Sequence, residues 1–235
     1  MRPILLLVLV SLSCSNEKKS EVKNYDVDSY QVAFLIMDGV YNTELTAPWD
    51  IFEHTKYREG IKKMEVFTIA EHRETIRTSE GLNIRADYGF NDSYPPIDIL
   101  VIPSAESHLS SALTNKALLN FVRAIASNAT WVTSHCDGVF VLGAAGLLEG
   151  KYATTFPADL TQFAERFPKV KVVHDKIVVQ DGKYISSAGG AKSFEAALYL
   201  THLLYGEKVT QELAQGLVLD WSEEMVDSQV FVKED

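Results

Sequence analysis

From Gln31 onward the chain alternates short, nearly continuous apolar runs with longer stretches whose apolar residues recur every three or four positions. The runs QVAFLIM (31–37), MEVFTIA (64–70), IDILVIP (97–103) and TWVTS (130–134) lack the strict alternation of a sheet with one wet face. They read as strands covered on both sides, which predicts a parallel sheet. LTAPWDIFEHTK (45–56) and ALLNFVRAIAS (117–127) read as helices between them. Strand-helix alternation of this kind gives an α/β sandwich. Farther on, Asp181-Gly182 between the β-prone runs of KIVVQDGKYISS predicts a hairpin. From Ser193 to Tyr205, Phe194, Ala197, Leu198, Thr201 and Leu204 keep the spacing of a helix with one buried face. No internal repeat or second domain is visible.

The remainder of the chain changes this picture at its two ends. Residues 1–14, MRPILLLVLVSLSC, carry one positive charge and an apolar run too short to cross a bilayer. They predict an export signal, of the bacterial lipoprotein type if Cys14 becomes the lipidated first residue of the mature chain, or an ordinary cleaved signal otherwise. Either way the protein is expected in the cell envelope or secreted, reaching a membrane through Cys14. Residues 15–29 are polar and charged, as a solvated tether would be. The folded domain is expected over 30–222, with a tail at 223–235.

A formal net charge of −10 argues against nucleic-acid binding, because an acidic surface repels a phosphate backbone. With only Cys14 and Cys136, the chain can build neither a disulfide scaffold nor a cysteine-rich zinc module. The six histidines are scattered without ligand spacing, and no phosphate-cradling glycine motif occurs. No metal and no cofactor are expected.

Ser134-His135-Cys136-Asp137-Gly138 carries the sharpest chemical signal. It places a nucleophile between small residues, directly after an apolar strand and before the helical stretch VFVLGAAGLL. A turn that abrupt strains its central residue and presents the thiol at a strand end, where a helix N-terminus would lower the thiol's pKa. An inert, buried cysteine is the alternative. Glu44 invites a similar choice, since a carboxylate near Thr46 and Pro48 can simply satisfy the first N–H groups of a helix. His135 precedes the cysteine and points to the opposite strand face, so it reads as a packed histidine. His108, in the loop after IDILVIPS, reads as solvated, with the pocket within reach.

Three segments in order, VAFLIMDGVYNTELTAPWDIFE, WVTSHCDGVFVLGAAGLLEGKYATTF and KYISSAGGAKSFEAALYLTHLLYG, resemble the DJ-1/PfpI superfamily, also called class I glutamine-amidotransferase-like. The resemblance spans about residues 31–220 and is nearest the branch of isocyanide hydratases and the sensory domains of AraC-type regulators, here without a helix-turn-helix. It implies a flavodoxin-like three-layer sandwich with a mostly parallel sheet and a nucleophile elbow at Cys136. It also implies a homodimer and a small-molecule substrate or ligand. Cys136 would be the nucleophile and Glu44 its proton partner. The pocket would be completed by Asp137, whose backbone N–H would serve an oxyanion, and by Gly138, Ala105 and Gly189, with His108 and His135 as auxiliaries. The implied function is a cofactor-independent, cysteine-dependent hydratase or hydrolase of a small electrophile, or else a ligand-binding or redox-sensing module. Three departures stand out: Phe156 and Asp137 occupy positions where many relatives carry His, and PSAES (103–107), with Ser104 and Ala105, replaces a Pro-Gly-Gly turn that the resemblance expects to supply a backbone donor to an oxyanion.

Overall fold

The computed structural model describes residues 28–231; the signal segment with Cys14, and the tether up to residue 27, lie outside the described residues. The strands are β1 (Tyr30–Leu35), β2 (Met64–Ala70), β3 (Thr75–Arg77), β4 (Asn83–Arg85), β5 (Tyr88–Gly89), β6 (Ile99–Ile102), β7 (Trp131–His135), β8 (Tyr152–Ala153), β9 (Lys171–Val172), β10 (Val178–Asp181), β11 (Tyr184–Ser187) and β12 (Ser228–Phe231). The helices are α1 (Asn42–Glu53), α2 (Lys116–Asn128), α3 (Gly138–Ala144), α4 (Leu160–Arg166), α5 (Ser193–Tyr205) and α6 (Glu207–Gly216).

Eight strands form one sheet in the order β12-β10-β11-β7-β6-β1-β2-β5. Every neighbouring pair is parallel except β10 and β11, the hairpin predicted at Asp181-Gly182, whose turn glycine has φ 59°. The short pairs β3-β4 and β8-β9 stand apart from it. Alternation along each strand divides the core in two. Val32 and Phe34 of β1, with Ile99 and Val101 of β6, face α1, α5 and α6. Ala33 and Leu35, with Leu100 and Ile102, face α2, α3 and α4. Both faces are thus dry, as the continuous apolar runs predict. Among the described residues no helix is long and apolar enough to cross a membrane.

Two expectations are corrected. The stretch assigned to a C-terminal tail supplies β12, which pairs in parallel with β10 and stacks Phe231 on Tyr152 at 3.5 Å between ring centroids. The edge of β10 otherwise presents unpaired backbone groups, and covering them is the physical reason for the extra strand. Secondly, α1 begins at Asn42, so Pro48 lies inside the helix and not at its start.

What matters for the site is the crowding at the carboxyl end of β7. A Cβ built on Gly138 would lie 2.1 Å from the Ile102 carbonyl oxygen, so α3 leaves the sheet closer to β6 than any side chain permits. Gly138→Ala should therefore destabilise the protein by about 1–3 kcal/mol, the usual range for overpacking. Urea denaturation monitored by tryptophan fluorescence checks this.

Candidate active site

Cys136 follows β7 with φ 52°. Val218 is the other non-glycine residue with positive φ among the described residues, and there the cause is a helix end, its N–H bonding Gln215 O after α6. At Cys136 the strain coincides with the strand-to-helix turn that the sequence predicts. The Cys136 N–H donates to Ser187 O at 3.0 Å, which ties the elbow to the end of β11. The next turn, at Gly189 (φ 76°), approaches so closely that an added Cβ would stand 2.3 Å from the Cys136 Cβ. Gly189 therefore forms a wall of the site through its missing side chain.

Glu44 sits in the first turn of α1, buried, and its Oε1 accepts the Gly190 N–H at 2.9 Å. Tyr41 N donating to Ser104 O and Glu106 N donating to Gly39 O pin the start of α1 against the 103–107 loop. Two distant segments are brought together this way. The influence of Glu44 on the sulfur is electrostatic, its charge opposing the thiolate.

The expected lowering of the thiol's pKa is not what the structure gives. Burial first, then the charges of Asp137 and Glu44, push the Cys136 thiol well up. The Asp137 backbone N–H pulls the other way, as an oxyanion donor would. So does the nearby Ser104 hydroxyl, although it makes no well-formed hydrogen bond. A helix of seven residues, entered through a dry strand end, does not compensate for the lost hydration of a thiolate.

The auxiliaries are also rearranged. His108 is fully buried, not solvated, and its Nδ1 accepts the Ala105 N–H at 3.2 Å. That bond occupies the backbone donor that Ala105 would offer an oxyanion. His135 is packed as predicted, with its Nδ1 hydrogen-bonded to the Ser187 hydroxyl at 3.1 Å. Gly138 provides close approach, as described above. Phe156 is exposed.

Sequence reasoning missed the side chain of Asp137. It is buried, and the Thr155 hydroxyl lies 3.0 Å from its Oδ1 and 3.1 Å from the Cys136 carbonyl oxygen. Burial, followed by the charge of Asp159, pushes its carboxyl up to about 6. The available signal was the Ala153-Thr154-Thr155 segment, which lies within the stretch that carries the family resemblance. A separate cavity of about 270 Å³ lies at the ends of β1 and β2, lined by Met37, Asp38, Glu71, Phe90, Ser107 and Asn115 among others. Cys136 does not line it.

A cysteine at a left-handed strand-to-helix elbow on a mostly parallel α/β sandwich defines the structural class of this domain. The chain belongs to one family within that class: residues 30–203 match the DJ-1/PfpI family. It is 31% identical over 183 residues to an isonitrile hydratase of Pseudomonas putida, covering 77% of this chain and 75% of that protein. An HTH-type transcriptional regulator of Pseudomonas aeruginosa is 26% identical over 61% of this chain, which spans 42% of the regulator. Drosophila melanogaster DJ-1beta superposes with a TM-score of 0.70 at 22% identity, covering 82% of this chain and all of that one.

Burial lowers His108 to about 3 and His135 to about 4, so both are neutral in the native state. The unfolded chain takes up those protons near pH 6.5. Their contribution to stability is full above that value and is lost as pH falls toward the native values. Thermal unfolding should show Tm declining from about pH 6.5 to about pH 4. His108→Asn, which retains an acceptor for the Ala105 N–H, should flatten that decline.

Proposed function

We propose that this protein is a cysteine-dependent hydratase or hydrolase of a small, uncharged electrophile, with Cys136 as nucleophile. The observation that carries the reading is the strained left-handed elbow at Cys136, braced by Gly138 and Gly189. The sulfur would add to an electrophilic carbon, and water would then release the hydrated product and the free thiol. The Asp137 backbone N–H would face the negative charge that develops, and Glu44 would exchange a proton with the substrate while its Oε1 holds the Gly189-Gly190 turn. An isonitrile fits this chemistry, and similarity to an isonitrile hydratase supports it as the first substrate to try. Cys136 is only 8% exposed, which favours small molecules.

A second reading is a ligand-binding or redox-sensing module. The engagement of the Ala105 N–H by His108 favours it, because one expected oxyanion donor is lost. In either case Cys14 would anchor the exported protein to a membrane, and the domain would work as a homodimer.

Cys136→Ser should abolish conversion of a small alkyl isonitrile to the corresponding formamide, followed by loss of substrate and appearance of product. Turnover retained by that variant would sink the catalytic reading. A wild-type protein that oxidises at Cys136 but turns over no small electrophile would support the sensor.

A further inference from the structure

We propose that the Asp137 carboxylate takes the proton of the Cys136 thiol as the sulfur attacks, and that Thr155 is the residue that positions it. This rests on the nucleophile reading of Cys136 and concerns the thiol proton of the addition step, leaving proton exchange in the later water step to Glu44. Asp137 directly follows the nucleophile, is buried, and is held through Oδ1 by the Thr155 hydroxyl at 3.0 Å. The thiol of the preceding residue favours the ionised carboxylate, as a weak hydrogen-bond donor would, although no well-formed hydrogen bond joins the two. The other groups acting on Asp137 are Asp159, from the turn Pro157–Asp159, and Glu44 of α1, both carboxylates that raise its affinity for a proton. Glu44 is less suited to the task because its Oε1 already accepts the Gly190 N–H.

Thr155 makes the transfer reversible without leaving a polar atom unpaired. While Asp137 is ionised, the Thr155 hydroxyl donates to it. Once Oδ1 holds a proton, that proton can donate to Thr155 Oγ1, whose own hydrogen turns to the Cys136 carbonyl oxygen 3.1 Å away. In the reaction the S–H bond breaks, its proton moves to Asp137 and the sulfur pair forms the S–C bond. The electron pair displaced within the electrophile then accepts the proton from Asp137.

Iodoacetamide tests the assignment without needing turnover, so this inference and the enzymatic reading can fail separately. With this probe the S–C bond forms, iodide leaves and the proton still goes to Asp137. Alkylation of Cys136 would be followed by peptide mass spectrometry from about pH 5 to about pH 9. Thiolate absorbance would be measured in parallel as the difference from Cys136→Ser. The wild-type rate should inflect near pH 6, where Asp137 ionises, before thiolate absorbance appears. Asp137→Asn should react at least about tenfold more slowly at neutral pH, with a rate that tracks the absorbance. Thr155→Val should move the inflection to higher pH, because the lost hydrogen bond favoured the carboxylate. An Asp137→Asn protein that alkylates as fast or faster overturns the proposal, since removing a charge that merely repels the thiolate makes the thiol easier to ionise. A wild-type rate that tracks thiolate absorbance throughout overturns it as well. Should Asp137→Asn fail to fold, an unmoved inflection in Thr155→Val does the same.

Discussion

Holding a residue with a side chain at φ 52° between β7 and α3 requires the backbone on either side to pass closer than a Cβ allows. Gly138 meets the Ile102 carbonyl on one side, and Gly189 meets the cysteine itself on the other. The bond from Cys136 N–H to Ser187 O locks this arrangement to β11. A left-handed conformation in a non-glycine residue costs on the order of 1–3 kcal/mol and persists only where its surroundings over-determine it. Here the carboxyl ends of β6, β7 and β11 do so together, and the site follows from the register of those strands.

Burial then sets the chemistry. A thiol beside a cationic imidazole would exist largely as thiolate at neutral pH, a standing nucleophile. Cys136 has carboxylates as its charged neighbours, and their field and the dry surroundings keep its proton on. Such a thiol would be a nucleophile only during a reaction, when its proton leaves as the new bond forms. Asp137 near pH 6 is closely matched to neutral conditions as an acceptor, whereas a carboxyl at its ordinary value would be a weaker base.

The sheet was legible because both of its faces are dry. Continuous apolar runs mark β1, β2, β6 and β7 to within two residues, and Asp-Gly marks the hairpin. The elbow was legible for a related reason, since an abrupt strand-to-helix junction between small residues leaves few conformations. What could not be read were features set by contacts between distant segments. β12 exists because β10 has an edge to cover, and nothing local in SQVF announces that partner. His108 stands in a loop sequence that looks wet, yet a one-turn helix folds it under Ala105. The pKa of Cys136 could not be judged from helix polarity alone. Desolvation depends on the whole site, and at this depth it outweighs a short helix.

The same electrostatics limit what the site can accept. Glu44, Asp137 and Asp159 act on one another or on the sulfur, and Glu106 joins Asp137 in acting on Tyr41 at the entrance to α1. A substrate bearing a carboxylate or phosphate would approach the buried thiol against these charges, on a protein of formal net charge −10. An uncharged electrophile meets no such barrier. It would also become anionic only in the transition state, where the Asp137 N–H could donate to it and the Asp137 carboxyl could pass on the proton taken from the thiol. Proton transfer to Asp137 would thus remove one negative charge from the site at the moment the substrate begins to acquire one, so the total charge buried around the sulfur would stay nearly constant along the reaction.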